Sequence, residues 1–218
     1  RTLVARPWSH EMHVRWDGLG DDILAHELAH LFTSPFGGGP LRLATRGGVI
    51  PDIGLVDGIA EAANWGPSEL SPHDVATALR AQDKAPNLRK LLGPGGFWTQ
   101  PAGKAYTLMA SFVRWLVQAE GMDAFKKVYG SGDFDGVYGR SAVDLVGEWE
   151  TWIDARQVDD AQLELARYKY RKGSIFKRVC ARTLASLNRG VGRARNRSDL
   201  DRAIRLQRDV LDIQPGKP

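Results

Sequence analysis

His26-Glu27-Leu28-Ala29-His30 is the stretch on which the reading of this chain turns. Its two histidines stand four residues apart. On an α-helix, positions i and i+4 share a face about one turn apart. Two imidazoles in that register can hold one zinc ion, and the glutamate after the first can hold a water on it. Five residues are a short motif, so the flanking sequence must supply a helix, a third ligand and a cleft.

The helix is legible on both sides. Asp21 or Asp22 stands at an N-cap, and the pattern runs to about Thr33. Leu24, Leu28 and Leu31 form an apolar stripe, with His26 and His30 on the adjacent one. Pro35 and Gly37-Gly38-Gly39-Pro40 end the helix. Upstream, Thr2–Ala5 and Met12–Trp16 favour strands, split by Pro7. Met12-His13-Val14-Arg15-Trp16 alternates apolar and polar side chains, as a half-exposed strand does. His10 and His13 would face opposite sides of a strand, so both read as surface or strand histidines rather than ligands.

Downstream, residues 34–51 read as loop with short strand character at Leu41–Ala44. A second helix begins near Asp52–Gly54 and stops at Gly66-Pro67. Ser71 caps a third, with Pro72 at its first position, and His73 reads as exposed there. Little on that helix beyond Val75 and Leu79 is apolar. Residues 84–103 read as irregular. Lys104–Glu120 is a strong amphipathic helix, followed by a short one over Asp123–Tyr129, a Gly-rich turn at 130–139, and a Ser141-capped helix to about Ile153. Helices dominate and the few strands come early, so the expected class is α+β, mainly helical, with a small N-terminal sheet.

Composition sets outer limits. At 218 residues, 43% apolar and 26% charged, the chain can bury a sizeable core. Cys180 is the single cysteine, which excludes an internal disulfide framework and a multi-cysteine zinc site. Among Ile175, Phe176 and Val179 it reads as a small buried residue rather than a nucleophile. No apolar run approaches the roughly 18 residues that a membrane span needs. The chain begins at Arg1 with no signal-peptide pattern, so a processed product or a fragment of a longer chain is expected.

Charge divides the chain. Residues 1–159 carry 15 Lys/Arg against 20 Asp/Glu, whereas residues 160–218 carry 15 against 6. Regularly spaced apolar residues among the basic ones favour solvated helical faces or a protein-docking surface over nucleic-acid contact. Two segments are expected: a domain over 1–157 and a basic helical extension over 158–218, with helix breaks near Gly173 and at Asn188–Arg197. The stretch from Asp199 to Pro215 resembles the second helix of a tetratricopeptide repeat.

A catalytic zinc takes three protein ligands. A third histidine soon after the motif is excluded, because Thr33 and Phe36 occupy the positions where a His-Glu-x-x-His-x-x-Gly-x-x-His pattern needs Gly and His. A carboxylate from the second helix remains. Asp57 and Glu61 are the candidates, on one helical face among apolar residues.

With Leu55-Val56-Asp57-Gly58-Ile59-Ala60-Glu61 following the first motif, the chain resembles the gluzincin metallopeptidases, especially the peptidase-MA-like group, over about residues 10–155. The resemblance implies a zincin-like fold with its N-terminal sheet truncated, one zinc ion, and a peptide or protein substrate. It implies His26, His30 and Asp57 as ligands and Glu27 as general base. The family carries Glu where Asp57 stands, so this chain's ligand is one methylene shorter. Glu61 is implied as the carboxylate orienting a zinc histidine, or else as the ligand itself. Tyr106, opening a later helix, matches the oxyanion-stabilising tyrosine. Met12, His13, Val14, Arg15 and Trp16 match the edge strand that pairs with extended substrate. An extracytoplasmic bacterial setting, cell envelope or secreted, goes with it. Two other readings stay open: a zinc hydrolase of a non-peptide amide or ester, and a zincin-like binding or scaffold module using the basic helices to meet a protein partner. Retention of Glu27 favours catalysis, because binding alone needs no base.

Overall fold

The computed structural model of the protein describes residues 3–14, 21–65, 70–92, 101–170, 191, 193–197 and 199–213. Two short antiparallel pairs carry the strands. β1 (Leu3–Arg6) pairs with β2 (Glu11–Val14), placing Val4 opposite His13 and Ala5 opposite Met12. β3 (Thr45–Arg46) pairs with β4 (Ile50–Pro51). The second hairpin lies beyond the expected Leu41–Ala44, where Leu43 makes only an isolated bridge to Gly38. Its turn falls at the Gly47-Gly48 step, which moves the pairing downstream.

Helices make up the rest: α1 (Asp21–Thr33), α2 (Ile53–Asn64), α3 (Pro72–Ala81), α4 (Leu88–Leu91), α5 (Ala102–Glu120), α6 (Met122–Ser131), α7 (Phe134–Tyr138), α8 (Ala142–Asp154), α9 (Asp160–Lys169) and α10 (Leu200–Ile213). The class is α+β and mainly helical. No helix among the described residues is long and apolar enough to cross a membrane. Contacts divide the chain into Arg1–Tyr170 and Arg171–Pro218. α9 packs on α3, which carries the first unit past residue 157 to Tyr170. Residues 193–196 are helical, inside the stretch expected to separate helices. Cys180 and its neighbours lie outside the described residues, as do Arg15 and Trp16.

Local chemistry explains the element boundaries. Ser71 and Asp74 form a capping box on α3, and Ser141 and Asp144 form one on α8. The segment expected as a turn at 130–139 contains α7, because Asp133 accepts the Gly136 N–H at 2.8 Å and Phe134 is buried beneath it. Asn87 caps α4 in the same way, so part of the expected irregular stretch is helical.

The core is built around α5, which buries Leu108, Met109, Phe112, Val113 and Leu116 completely. α2 packs against it more extensively than any other two elements pack. Gly54 and Gly58 permit this. A Cβ at Gly58 would lie 3.0 Å from Val113 Cγ2 and 3.1 Å from Met109 Cβ.

α3 departs most from expectation. It is buried nearly all round, because Ala76 and Ala78 are small enough for neighbours to close over them. His73 is therefore buried, not exposed. Its Nδ1 shares a hydrogen bond with Ser111 Oγ at 2.9 Å, Trp149 Nε1 donates to that oxygen at 3.2 Å, and Trp152 packs at its edge. Burial, with the Arg156 and Arg114 charges, outweighs Asp74 and pulls its pKa down to about 4.

Asp52 joins the β3–β4 hairpin to α2. Its Oδ1 caps α2 by accepting the Leu55 N–H at 3.2 Å, and its N–H donates to the Ala44 carbonyl at 2.8 Å. Arg46 Nε and Nη2 both donate to its Oδ2, at 2.9 and 2.8 Å. Burial raises the Asp52 pKa against the pull of Arg46.

Two outcomes follow for stability. Arg46→Ala strands a buried carboxylate and is expected to cost about 2–4 kcal/mol in urea unfolding at pH 7. His73 titrates near 6.5 when unfolded and about 4 when folded, so the unfolded state takes up its proton first. Its contribution is complete above about pH 6.5 and is lost as pH falls towards 4. The urea midpoint of His73→Asn is expected to fall less between pH 7 and pH 5 than that of the wild type.

Candidate metal centre

α1 and α2 bring the candidate ligands together by packing side by side. Leu24, Leu28 and Leu31, the expected buried stripe of α1, are only half-buried. Among the α1 residues whose burial is described, Ala29, His30 and Thr33 lie deepest, so the histidine side meets the protein. Phe32, by contrast, is 74% exposed. The far end of α1 is held in place by polar links. Thr33 Oγ1 donates to the His30 carbonyl at 3.1 Å and lies 3.2 Å from the Tyr129 hydroxyl, whose pKa burial pushes up to about 12. Just beyond, Ser34 Oγ pairs with His10 Nε2 at 2.9 Å.

On α2, Gly54 and Gly58 lie against α5, which turns Asp57 and Glu61 towards α1. Ala60, which flanks Asp57 on the helical wheel, is fully buried. Asp57 Oδ1 lies 3.7 Å from His26 Nε2 and 3.7 Å from His30 Nε2. The two imidazole rings stand 4.9 Å apart, edge to face at 84°. Glu61 approaches from the other side, with Oε2 3.5 Å from His26 Nδ1. The Tyr106 ring is 6.3 Å from the His26 ring, also edge to face.

The three side chains form a group that could hold a metal ion. His26, His30 and Asp57 each present one ligand atom, and the three lie within 4.8 Å of one another. Zinc–nitrogen and zinc–oxygen bonds of about 2.0–2.2 Å in a tetrahedron place ligand atoms roughly 3.3–3.5 Å apart. The two 3.7 Å separations to Asp57 exceed that span slightly, and all three ligand atoms lie within 4.8 Å of one another. Aspartate, despite its shorter reach, meets both imidazoles. Metal-ligating histidines usually give their second nitrogen a hydrogen-bond partner. His26 Nδ1 has Glu61, whereas His30 Nδ1 is buried without a partner among the described residues.

Charge in the site follows from the same contacts. Burial disfavours a protonated His26, but hydrogen bonds and charge from Asp57 and Glu61 outweigh it and raise the pKa to about 9. His30 moves down, through burial and then the His26 charge, against Asp57 and Glu27. Glu27 is half-buried, and its charge acts on His30.

The other expected site residues are more scattered. His13 is exposed on β2, 3.7 Å from Glu11, and takes no part in the cluster. Met12 is half-buried on the same strand, and Val14 ends it. α1 packs against β1 more than against β2. Asp52, Arg46 and Tyr129 hold the two ligand helices in place, and motif reading did not single them out for this. Only Asp52 carried a sequence signal, as an acidic residue just before a helix.

No protein-family model, curated protein or solved structure matches the chain. Zinc titration of single variants checks the ligand set. Asp57→Ala is expected to lose nearly all affinity. Glu61→Ala, which leaves the three ligand atoms intact, should weaken binding about 10–100-fold.

Proposed function

We propose that the protein is a zinc-dependent peptidase of the gluzincin type, with a zincin-like arrangement of α1 and α2. The observation that carries this reading is the meeting of His26 Nε2 and His30 Nε2 on Asp57 Oδ1, 3.7 Å from each, on a helix that also carries Glu27. A zinc ion held there supplies Lewis acidity towards a substrate carbonyl and lowers the pKa of a water.

The chain's own groups do the remaining work. His26, His30 and Asp57 hold the ion, and Glu61 fixes the His26 ring through Nδ1. The Glu27 carboxylate accepts the proton of the attacking water and passes it to the leaving amine. The Tyr106 hydroxyl donates a hydrogen bond to the carbonyl oxygen as negative charge develops on it. The position of Tyr106 beside His26 supports that role. Extended substrate lies along β2, where Met12, His13 and Val14 stand.

Metal analysis combined with peptide cleavage tests the reading. Wild type is expected to bind one zinc ion and cleave a peptide library. Glu27→Gln should keep the zinc and lose about 10²–10⁴-fold in kcat/KM. Tyr106→Phe should keep zinc affinity and lower kcat roughly 10²-fold. Zinc binding by wild type without cleavage of any peptide would overturn the peptidase reading.

A further inference from the structure

Away from the ligand cluster, a cavity of about 310 Å³ opens among the β3–β4 hairpin, α4, the α6–α7 junction and the start of α8. That volume suits a small ligand. Leu92, Phe134 and Val146 make an apolar floor, each at most 8% exposed. Val143 borders it and is 57% exposed, a large apolar side chain left facing solvent. Gly132 shapes the opposite wall. Its φ is +70°, and a Cβ there would lie 2.7 Å from Arg46 Cα, so only glycine lets the α6–α7 junction come this close to β3.

The charged groups around this floor are not balanced within it. Arg46 and Arg89 line the cavity with Asp52 as the one carboxylate. Arg46 commits Nε and Nη2 to Asp52, while Nη1 bonds no described residue. Among the described residues Arg89 commits Nη2 alone, to Glu150 at 3.2 Å. Donors on both guanidinium groups are therefore left over by the described residues. A larger cavity of about 590 Å³, lined mainly by α3 and α8 residues, carries Arg80 and Arg156 against Asp83, Glu150 and Asp154, so carboxylates are in excess there. Its Arg80 is bidentate to Asp154 and also bonded to Glu150, so its charge is met internally.

We propose that the smaller cavity binds a small organic carboxylate with an apolar body, the acid group held by Arg46 and Arg89 and the body resting on Leu92, Phe134, Val146 and Val143. Arginine suits this task, since its planar fork matches a carboxylate. A cation of the same shape meets two like charges, and a neutral amide leaves the guanidinium donors poorly matched. The chemistry is shared by free aryl or branched-alkyl acids and by a peptide C-terminus that ends on an apolar residue. The site goes beyond the metal reading and does not depend on it.

Titration of the 218-residue chain with 3-phenylpropanoate, followed by backbone amide NMR, tests the proposal. Shifts are expected at Leu92, Phe134, Val143 and Val146, saturating at millimolar acid, with 3-phenylpropanamide binding at least about ten-fold more weakly. Arg89→Gln should weaken the acid by about ten-fold and leave the amide unchanged. Val143→Trp, at an exposed position, should fill the cavity and abolish binding while Tm is retained. N-acetyl-leucine separates the two sources: binding as tight as the free acid assigns a peptide C-terminus, and weaker binding assigns a free acid. Equal affinity for acid and amide, shifts confined to other residues, or no shift up to roughly 10 mM would overturn the proposal.

Discussion

α2 lies tightly against α5 because no side chain stands between them at Gly58. A methyl group at Gly58 would press within 3.0–3.2 Å of Val113 and Met109. Close helix packing is not continuously adjustable, since interiors are packed as densely as organic crystals. The contact therefore fixes the roll of α2 about its own axis. Once that roll is set, Asp57 and Glu61 face α1, and His26 and His30 have carboxylates to meet. The rest of the candidate centre depends on this one approach.

Several weaker interactions fix where α1 and α2 begin and end. Asp52 caps α2 and is itself pinned by Arg46, which ties the ligand helix to the β3–β4 hairpin. Thr33 and Tyr129 anchor the end of α1 to α6. None of these groups touches the ligand atoms. They matter because a metal site tolerates displacements of only a few tenths of an ångström. The carboxylates hold His26 protonated well above the usual histidine range, so a positive charge is already favoured at the position where a cation would bind.

Much of the architecture was legible residue by residue. The helix around the histidines, the Asp52 start of α2, the Ser71 and Ser141 caps, and the amphipathic run of α5 all carried local signals. These signals act over three or four residues, the range of a capping hydrogen bond or a helical turn. The misreadings share a cause. The four glycines of residues 130–139 favour a turn where α7 forms, yet the Asp133 cap and burial of Phe134 hold the helix. The few large apolar residues on the helix of His73 favour an exposed position for it. Neighbouring helices closed over its alanines instead, and burial of a small residue depends on what packs against it.

The sequence by itself determined the chemistry on offer: two histidines one turn apart, a glutamate beside the first, and two carboxylates one turn apart on a second helix. It also determined that no nearby histidine completes the set. Only the tertiary structure decided which carboxylate meets which nitrogen. Asp57 faces both Nε2 atoms and Glu61 faces His26 Nδ1, because the roll of α2 is set by α5, which lies far along the chain. Spacing along a helix states which residues share a face. Which way that face points is settled by packing against elements that local sequence does not specify.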